Sequence, residues 1–134
     1  MKYIIDTNIC IHMIQGNQAA LNSFEEKKDE GIGISAITFA ELEYGVNNST
    51  SKKAFEQNRS KLIAFLPLLN IIPFDSAAAI AYGQIHASLR RKGALIGIMD
   101  MLIAAHALSQ DVILVTNNTS EFGRIEKLKI EDWV

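Results

Sequence analysis

The feature that most constrains this chain is a rhythm. Very short apolar runs, each closed by polar or turn-forming residues, alternate with stretches long enough for several helical turns. Tyr3 to Ile5 is the first run and ends at Asp6; Gly31 to Ser35, Asn70 to Pro73 and Val112 to Val115 follow, the last stopped by Thr116-Asn117-Asn118. Runs this short, without the polar alternation of a half-wet strand, read as strands buried on both faces. Parallel strands need a crossover that is usually helical, and helical stretches lie between them here. The expected class is α/β: a central parallel sheet of about four or five strands with helices on both faces.

The intervening stretches carry helix signals. Thr7 is a candidate N-cap for a helix through about Gln15, and a second helix is expected from Asn17 to Lys28. Ile37 to Gly45 follows the second strand as another. Ser51 to Leu66 is charged in its early half and apolar in its later half, so it should be exposed first and buried after. Asp75 is a candidate cap for an alanine-rich helix from Ser76 to Arg91, with Gly93 placed to end it, and Asp100 to Ser109 forms the last long helix.

A chain of 134 residues fits one domain, and no repeat, low-complexity tract or linker divides it, so residues 1–134 are read as a single unit. The lone Cys10 lies in an apolar segment, which suits a small buried hydrophobe and a reducing compartment. The N-terminal apolar run is too short for a signal peptide, and the longest apolar stretch, Leu62 to Phe74, is interrupted by Pro67, Asn70 and Pro73. A cytoplasmic protein with no membrane role is expected. The net charge of −2 argues, taken alone, against a nucleic-acid ligand, since phosphate affinity usually comes from excess Lys and Arg.

Three acids stand out. Ligands of open parallel sheets gather beyond the carboxyl ends of the strands, where Asp6 and Asn117 fall; Asp6 is equally readable as a turn residue. Glu41 is set among Ile37, Ala40, Leu42 and Val46, on a helix that should be largely covered. Glu43, two residues on, points elsewhere and reads as solvated. Asp100 lies within Ile96-Gly97-Ile98-Met99-Asp100-Met101-Leu102-Ile103, where a carboxylate is costly unless paired or metal-bound, although it also suits a helix N-cap. If the three converge, their mutual repulsion calls for a cation, and an all-oxygen donor set favours Mg²⁺ with Mn²⁺ as substitute.

Four blocks carry a resemblance to a known family. Ile4-Ile5-Asp6-Thr7-Asn8, the Ala40-Glu41 pair, Asp100-Met101-Leu102-Ile103-Ala104-Ala105-His106-Ala107, and Thr116-Asn117-Asn118 before Glu121-Phe122 resemble, in order and spacing, the signature blocks of the PIN domain. With the closing Leu128-Lys129-Ile130-Glu131-Asp132-Trp133 they are similar to the VapC toxin branch over essentially the whole chain. The resemblance implies a PIN-like fold and a metal-dependent endoribonuclease, the toxin of a type II toxin-antitoxin pair. Asp6 and Asp100 would be metal ligands, and Glu41 a third acid acting directly or through water.

The same resemblance makes Thr7, Asn8, Thr116, Asn117 and Glu121 supporting residues. Many PIN domains carry a further Asp in the block after the last strand; here Asn117 and Asn118 hold its centre, which leaves a second metal ion open. The implied partners are a VapB-type antitoxin, a second copy of the chain in a homodimer, and an RNA substrate. The start and the Glu131-Asp132-Trp133 end are similar to the group that cuts initiator tRNA in its anticodon stem-loop, inhibiting translation. Arg90 and Arg91 are RNA-binding candidates, with Lys92 and Arg59 as further phosphate contacts, whereas Lys52-Lys53 reads as a solvated helix end.

His12 and His106 invite a metal reading but are expected to serve packing, and His86 has no assignment. Two competing classes stay open. A phosphatase of the haloacid-dehalogenase type would use Asp6 as nucleophile but wants a second Asp at the position of Asn8. A PIN fold that only binds a partner would show no chelator-sensitive RNA cleavage.

Overall fold

Five parallel strands form the centre of the computed structural model, which describes residues 1–134. They are β1 (Tyr3–Ile5), β2 (Ile32–Ser35), β3 (Asn70–Ile72), β4 (Ile113–Val115) and β5 (Ile130–Glu131), in the spatial order β3-β2-β1-β4-β5. The chain therefore builds outward from β1 through β2 to β3, then returns to the other side of β1 with β4. That reversal opens a crevice at the carboxyl ends of β1 and β4, the place where parallel sheets hold ligands.

The helices are α1 (Thr7–Ile14), α2 (Gln18–Lys27), α3 (Ala36–Asn47), α4 (Lys52–Phe65), α5 (Ser76–Arg91), α6 (Ile98–Ser109) and the single turn α7 (Thr119–Phe122). Successive side chains of β1 point to opposite faces, and each face has its own core. Tyr3 and Ile5 pack with Ile9, Met13, Phe24, Leu42, Leu62 and Phe65 from α1 to α4. Ile4 and Leu114 pack with Ala81, Ile85, Leu89, Met101, Ile103 and Ala104 from α5 and α6. Each fully buried Ile or Leu contributes about 1.5–3 kcal/mol, so both faces reward burial of the central strands.

Double burial holds for β1 and β2 but not for β3, whose Asn70 and Ile71 are exposed. As an edge strand it lacks a neighbour on one side, and its brevity limits the unpaired backbone it presents. Gly33 of β2 permits its approach: a Cβ there would come within 2.7 Å of Ile72 Cδ1 and 3.0 Å of the Asn70 carbonyl oxygen. At the opposite edge, Trp133 is buried, its ring edge-on to Tyr3 at 5.4 Å between centroids, and its indole N–H donates to Glu131, which also pairs with Lys27. The closing block thus seals the sheet edge.

Three expectations are corrected. Thr7 is not the cap of α1 but its first residue; Asp6, in extended backbone, accepts from the Ile9 amide at 2.9 Å. The α6 helix starts at Ile98, so Asp100 lies in its first turn and Gly97 occupies the cap position without a side-chain cap bond. Glu43 is not simply solvated: Arg59 grips it through two bonds of 2.8 Å each, which also commits Arg59 to α3 rather than leaving it free for phosphate. The other caps fall as expected, with Asp75 accepting from Ala78 N at 3.0 Å. No helix is long and apolar enough to cross a membrane.

Candidate active site

Three segments bring an acid each to the crevice. Asp6 arrives because β1 ends there, and the sheet carries it to the switch between β1 and β4. Glu41 arrives because Ser35 ends β2 and starts α3, accepting from the Ile37 amide at 3.1 Å. Asp100 arrives on the first turn of α6, near the positive end of the helix dipole. All three line one pocket of about 500 Å³ together with Thr7 and Asn8.

Burial makes this acidic pocket electrostatically strained. Asp6 is 3% exposed, and burial pushes its carboxyl above the usual range, opposed by the Thr116 hydroxyl and the Ile9 amide and reinforced by Glu41. Asp100 is pushed up to about 6, first by burial and then by the charges of Glu41, Asp6 and Glu121. None of the three pocket acids forms a salt bridge, and no Lys or Arg lines the pocket. Carboxylates gathered in this way repel one another, and a bound cation would relieve that repulsion.

The donor set fits a hard divalent ion: carboxylates, the hydroxyls of Thr7 and Thr116 and the amide oxygen of Asn8 offer oxygen alone. No group of three acidic, His or Cys side chains is arranged to hold one ion directly. Glu41 is instead held by Thr7, whose Oγ1 donates to its Oε1 at 2.6 Å. An ion here would have few protein ligands and several waters, the habit of Mg²⁺.

The supporting residues divide. Thr7 and Asn8 are in the pocket, and Thr116 is buried beside Asp6, its Oγ1 accepting from Asn118 N at 3.0 Å. Asn117 is exposed and lies 3.3 Å from His12 Nε2, outside the pocket lining. Glu121 accepts from Asn118 Nδ2 at 2.9 Å and reaches the site only through its charge on Asp100. Arg90 and Arg91 are exposed at the end of α5 and do not line the pocket.

His106 is fully buried, its Nδ1 2.7 Å from Ser35 Oγ and its ring edge-on to Phe74, so it joins α6 to the end of β2 and is no ligand. Cys10 is likewise buried, and burial pushes its thiol well up, which suits an inert core residue. Three pocket residues escape a reading based on acids: Ile11, Tyr44 and Met99. Their signal was positional, since Tyr44 follows Glu41 by one helical turn and Met99 adjoins Asp100.

The sequence matches the PIN domain over residues 3–128. It is 44% identical to the ribonuclease VapC2 of Rickettsia felis, across 99% of this chain and 98% of that one. It is 38% identical to the tRNA(fMet)-specific endonuclease VapC of Shigella flexneri, across 99% and 98%. The fold superposes with a TM-score of 0.93 on a chain of VapBC2 from Rickettsia felis bound to a promoter DNA fragment, at 42% identity and covering all of both chains.

Proposed function

The chain belongs to the PIN-domain family, in its branch of VapC ribonucleases, and from that premise we propose that it is the toxin of a type II toxin-antitoxin pair, an endoribonuclease that inhibits translation by cutting initiator tRNA in the anticodon stem-loop. The observation that carries this reading is the convergence of Asp6, Glu41 and Asp100 in one pocket at the sheet's switch point. Residues 1–134 form a single PIN domain. The target rests on the similarity to a tRNA(fMet)-specific relative and on the accessibility of unstacked loop nucleotides, which a paired A-form stem hides from such a pocket.

Asp6 and Asp100 would hold Mg²⁺, or Mn²⁺ in its place, and Glu41 would complete the site directly or through water. When bound, such an ion acidifies water for in-line attack and offsets charge on the non-bridging phosphate oxygens. The chain's own residues do the positioning. Thr7 fixes the Glu41 carboxylate, and the Ile9 N–H fixes that of Asp6. Thr116 steadies Asp6 from just beyond β4, Asn8 lines the pocket, and Asn117 and Glu121 support it from outside the lining. Arg90 and Arg91 contact flanking phosphates, which offsets the unfavourable net charge.

The partners are a VapB-type antitoxin, as in the solved VapBC complex, and a second copy of the chain. The expected site of action is the cytoplasm. The test is to incubate antitoxin-free protein with total RNA and Mg²⁺, then map the cut ends with and without EDTA. Cuts confined to the initiator tRNA anticodon stem-loop and stopped by EDTA support the reading. Cuts in ribosomal or messenger RNA with that tRNA intact would overturn the target, and absence of cutting would overturn the nuclease.

A further inference from the structure

The pocket is not only acidic. Tyr44 is 69% exposed, Met99 48% and Ile11 39%, and these side chains from α3, α6 and α1 line the same pocket as the three carboxylates. Large apolar side chains normally avoid exposure beside a charge cluster, because neither group gains from the other. An apolar surface meeting convergent polar groups in one concavity is the mark of a ligand that is itself part apolar and part charged. A nucleotide is such a ligand, with an apolar base face next to an anionic phosphate.

The geometry selects Tyr44 among the three. It stands one helical turn from Glu41, so both side chains project from the same face of α3. Ala40, one helical turn before Tyr44 and also in the pocket lining, is a small residue. The ring has no aromatic or cationic partner, and its hydroxyl makes no side-chain hydrogen bond. Unpaired bases bind proteins by stacking on such rings, with little dependence on which base it is.

We propose that Tyr44 is a stacking platform for an unpaired base of the RNA beside the cleaved phosphate, with Met99 and Ile11 walling the slot. This rests on the ribonuclease reading above and adds a substrate contact to it. The acids act on the phosphate, and Tyr44 admits only a nucleotide that is free to leave its own stack. Selection of loops over stems thus has a side chain behind it, in addition to the shape of the cleft.

The test uses full-length protein carrying Asp100→Asn, so that RNA stays intact, and a short unpaired oligoribonucleotide with 2-aminopurine as the probe. Tyr44→Ala should weaken binding about tenfold to a hundredfold and abolish the quenching of the probe on binding. Tyr44→Phe and Tyr44→Trp should restore both, and Tyr44→Leu, apolar but without a π face, should not. In the otherwise wild-type enzyme with Mg²⁺, the loss in Tyr44→Ala should fall mainly in KM. Equal binding by the Leu and Trp variants, or an effect of Tyr44→Ala traced to a changed oligomeric state, would overturn the platform. A wild-type enzyme that cuts RNA with unchanged KM in Tyr44→Ala would overturn it while leaving the nuclease standing; a wild-type protein that cuts no RNA would overturn both.

Discussion

Thr7 Oγ1 donates to Glu41 Oε1 at 2.6 Å, tying the first turn of the helix after β1 to the helix after β2. The same hydroxyl lies 3.3 Å from Thr38 Oγ1, so a short polar chain connects the two elements under the pocket floor. Glu41 is therefore positioned by a neighbour that also lines the site, which makes Thr7 separable from the acids themselves.

Thr7→Val should lower kcat/KM about tenfold, because a misplaced carboxylate at the reacting centre costs one to two orders of magnitude. Thr7→Ser keeps the hydroxyl and should stay near wild type. Steady-state cleavage with melting curves on both variants checks this, and equal loss in the two would show that Thr7 acts by packing alone.

His106 belongs to the core. Its Nδ1 bonds Ser35 at 2.7 Å and its Nε2 has no partner, while burial holds the ring's pKa down. His106→Ala should cost about 2–4 kcal/mol, from the cavity and the lost bond to the Ser35 hydroxyl, and lower the melting temperature. Mg²⁺ affinity, measured by calorimetry on the folded fraction, should be unchanged. A lost metal site in a stably folded variant would make His106 a ligand after all.

Asp100 gives the site a pH signature. Its pKa rises from the ordinary carboxylate value of 3.8 to about 6 in the fold, so the folded state holds this proton more tightly than the unfolded chain. Its contribution favours the fold below the ordinary value and is lost as pH rises through about 6. Without metal, Asp100→Asn should therefore raise the melting temperature at pH 7.5 and change it little at pH 4. Protons compete with the cation for the same oxygens, so wild-type Mg²⁺ affinity should fall as pH drops below about 6. A flat affinity between pH 5 and 7, set by the same window, would contradict the assignment.

Much of this was legible from residue pattern. Asp6 at the end of a three-residue apolar run marked the carboxyl edge, because so short a run must be a buried strand. Asp100 in an apolar stretch marked itself by the cost of its charge. What could not be read were relations across space: Thr7 looks like a cap until the fold brings Glu41 beside it, and Arg59 looks free until α4 lies along α3 and Glu43 takes it. Nor does residue pattern tell an edge strand from a central one: the run from Asn70 resembles the others, and only the strand order places the exposed Ile71 at an edge.

Arg90 and Arg91 should act through charge. Changing both to Ala should weaken RNA binding across sequences and reduce the salt slope of log affinity by about one to two, as phosphate contacts do. Arg59→Ala should instead lower stability slightly and leave the salt slope unchanged, since its partner is Glu43. An altered slope in Arg59→Ala would place that side chain on the RNA.

The proposed nuclease needs Asp6 and Asp100 to hold a divalent ion, with Glu41 completing the site directly or through water. Its most direct test is single-turnover cleavage of initiator tRNA by wild type and Asp100→Asn at matched concentration in Mg²⁺, with melting curves to confirm the fold. Loss of cleavage by roughly three orders of magnitude or more in a folded Asp100→Asn protein is the predicted result, as expected when a group that holds the ion is removed. Undiminished cleavage by that protein would contradict both the site and the mechanism.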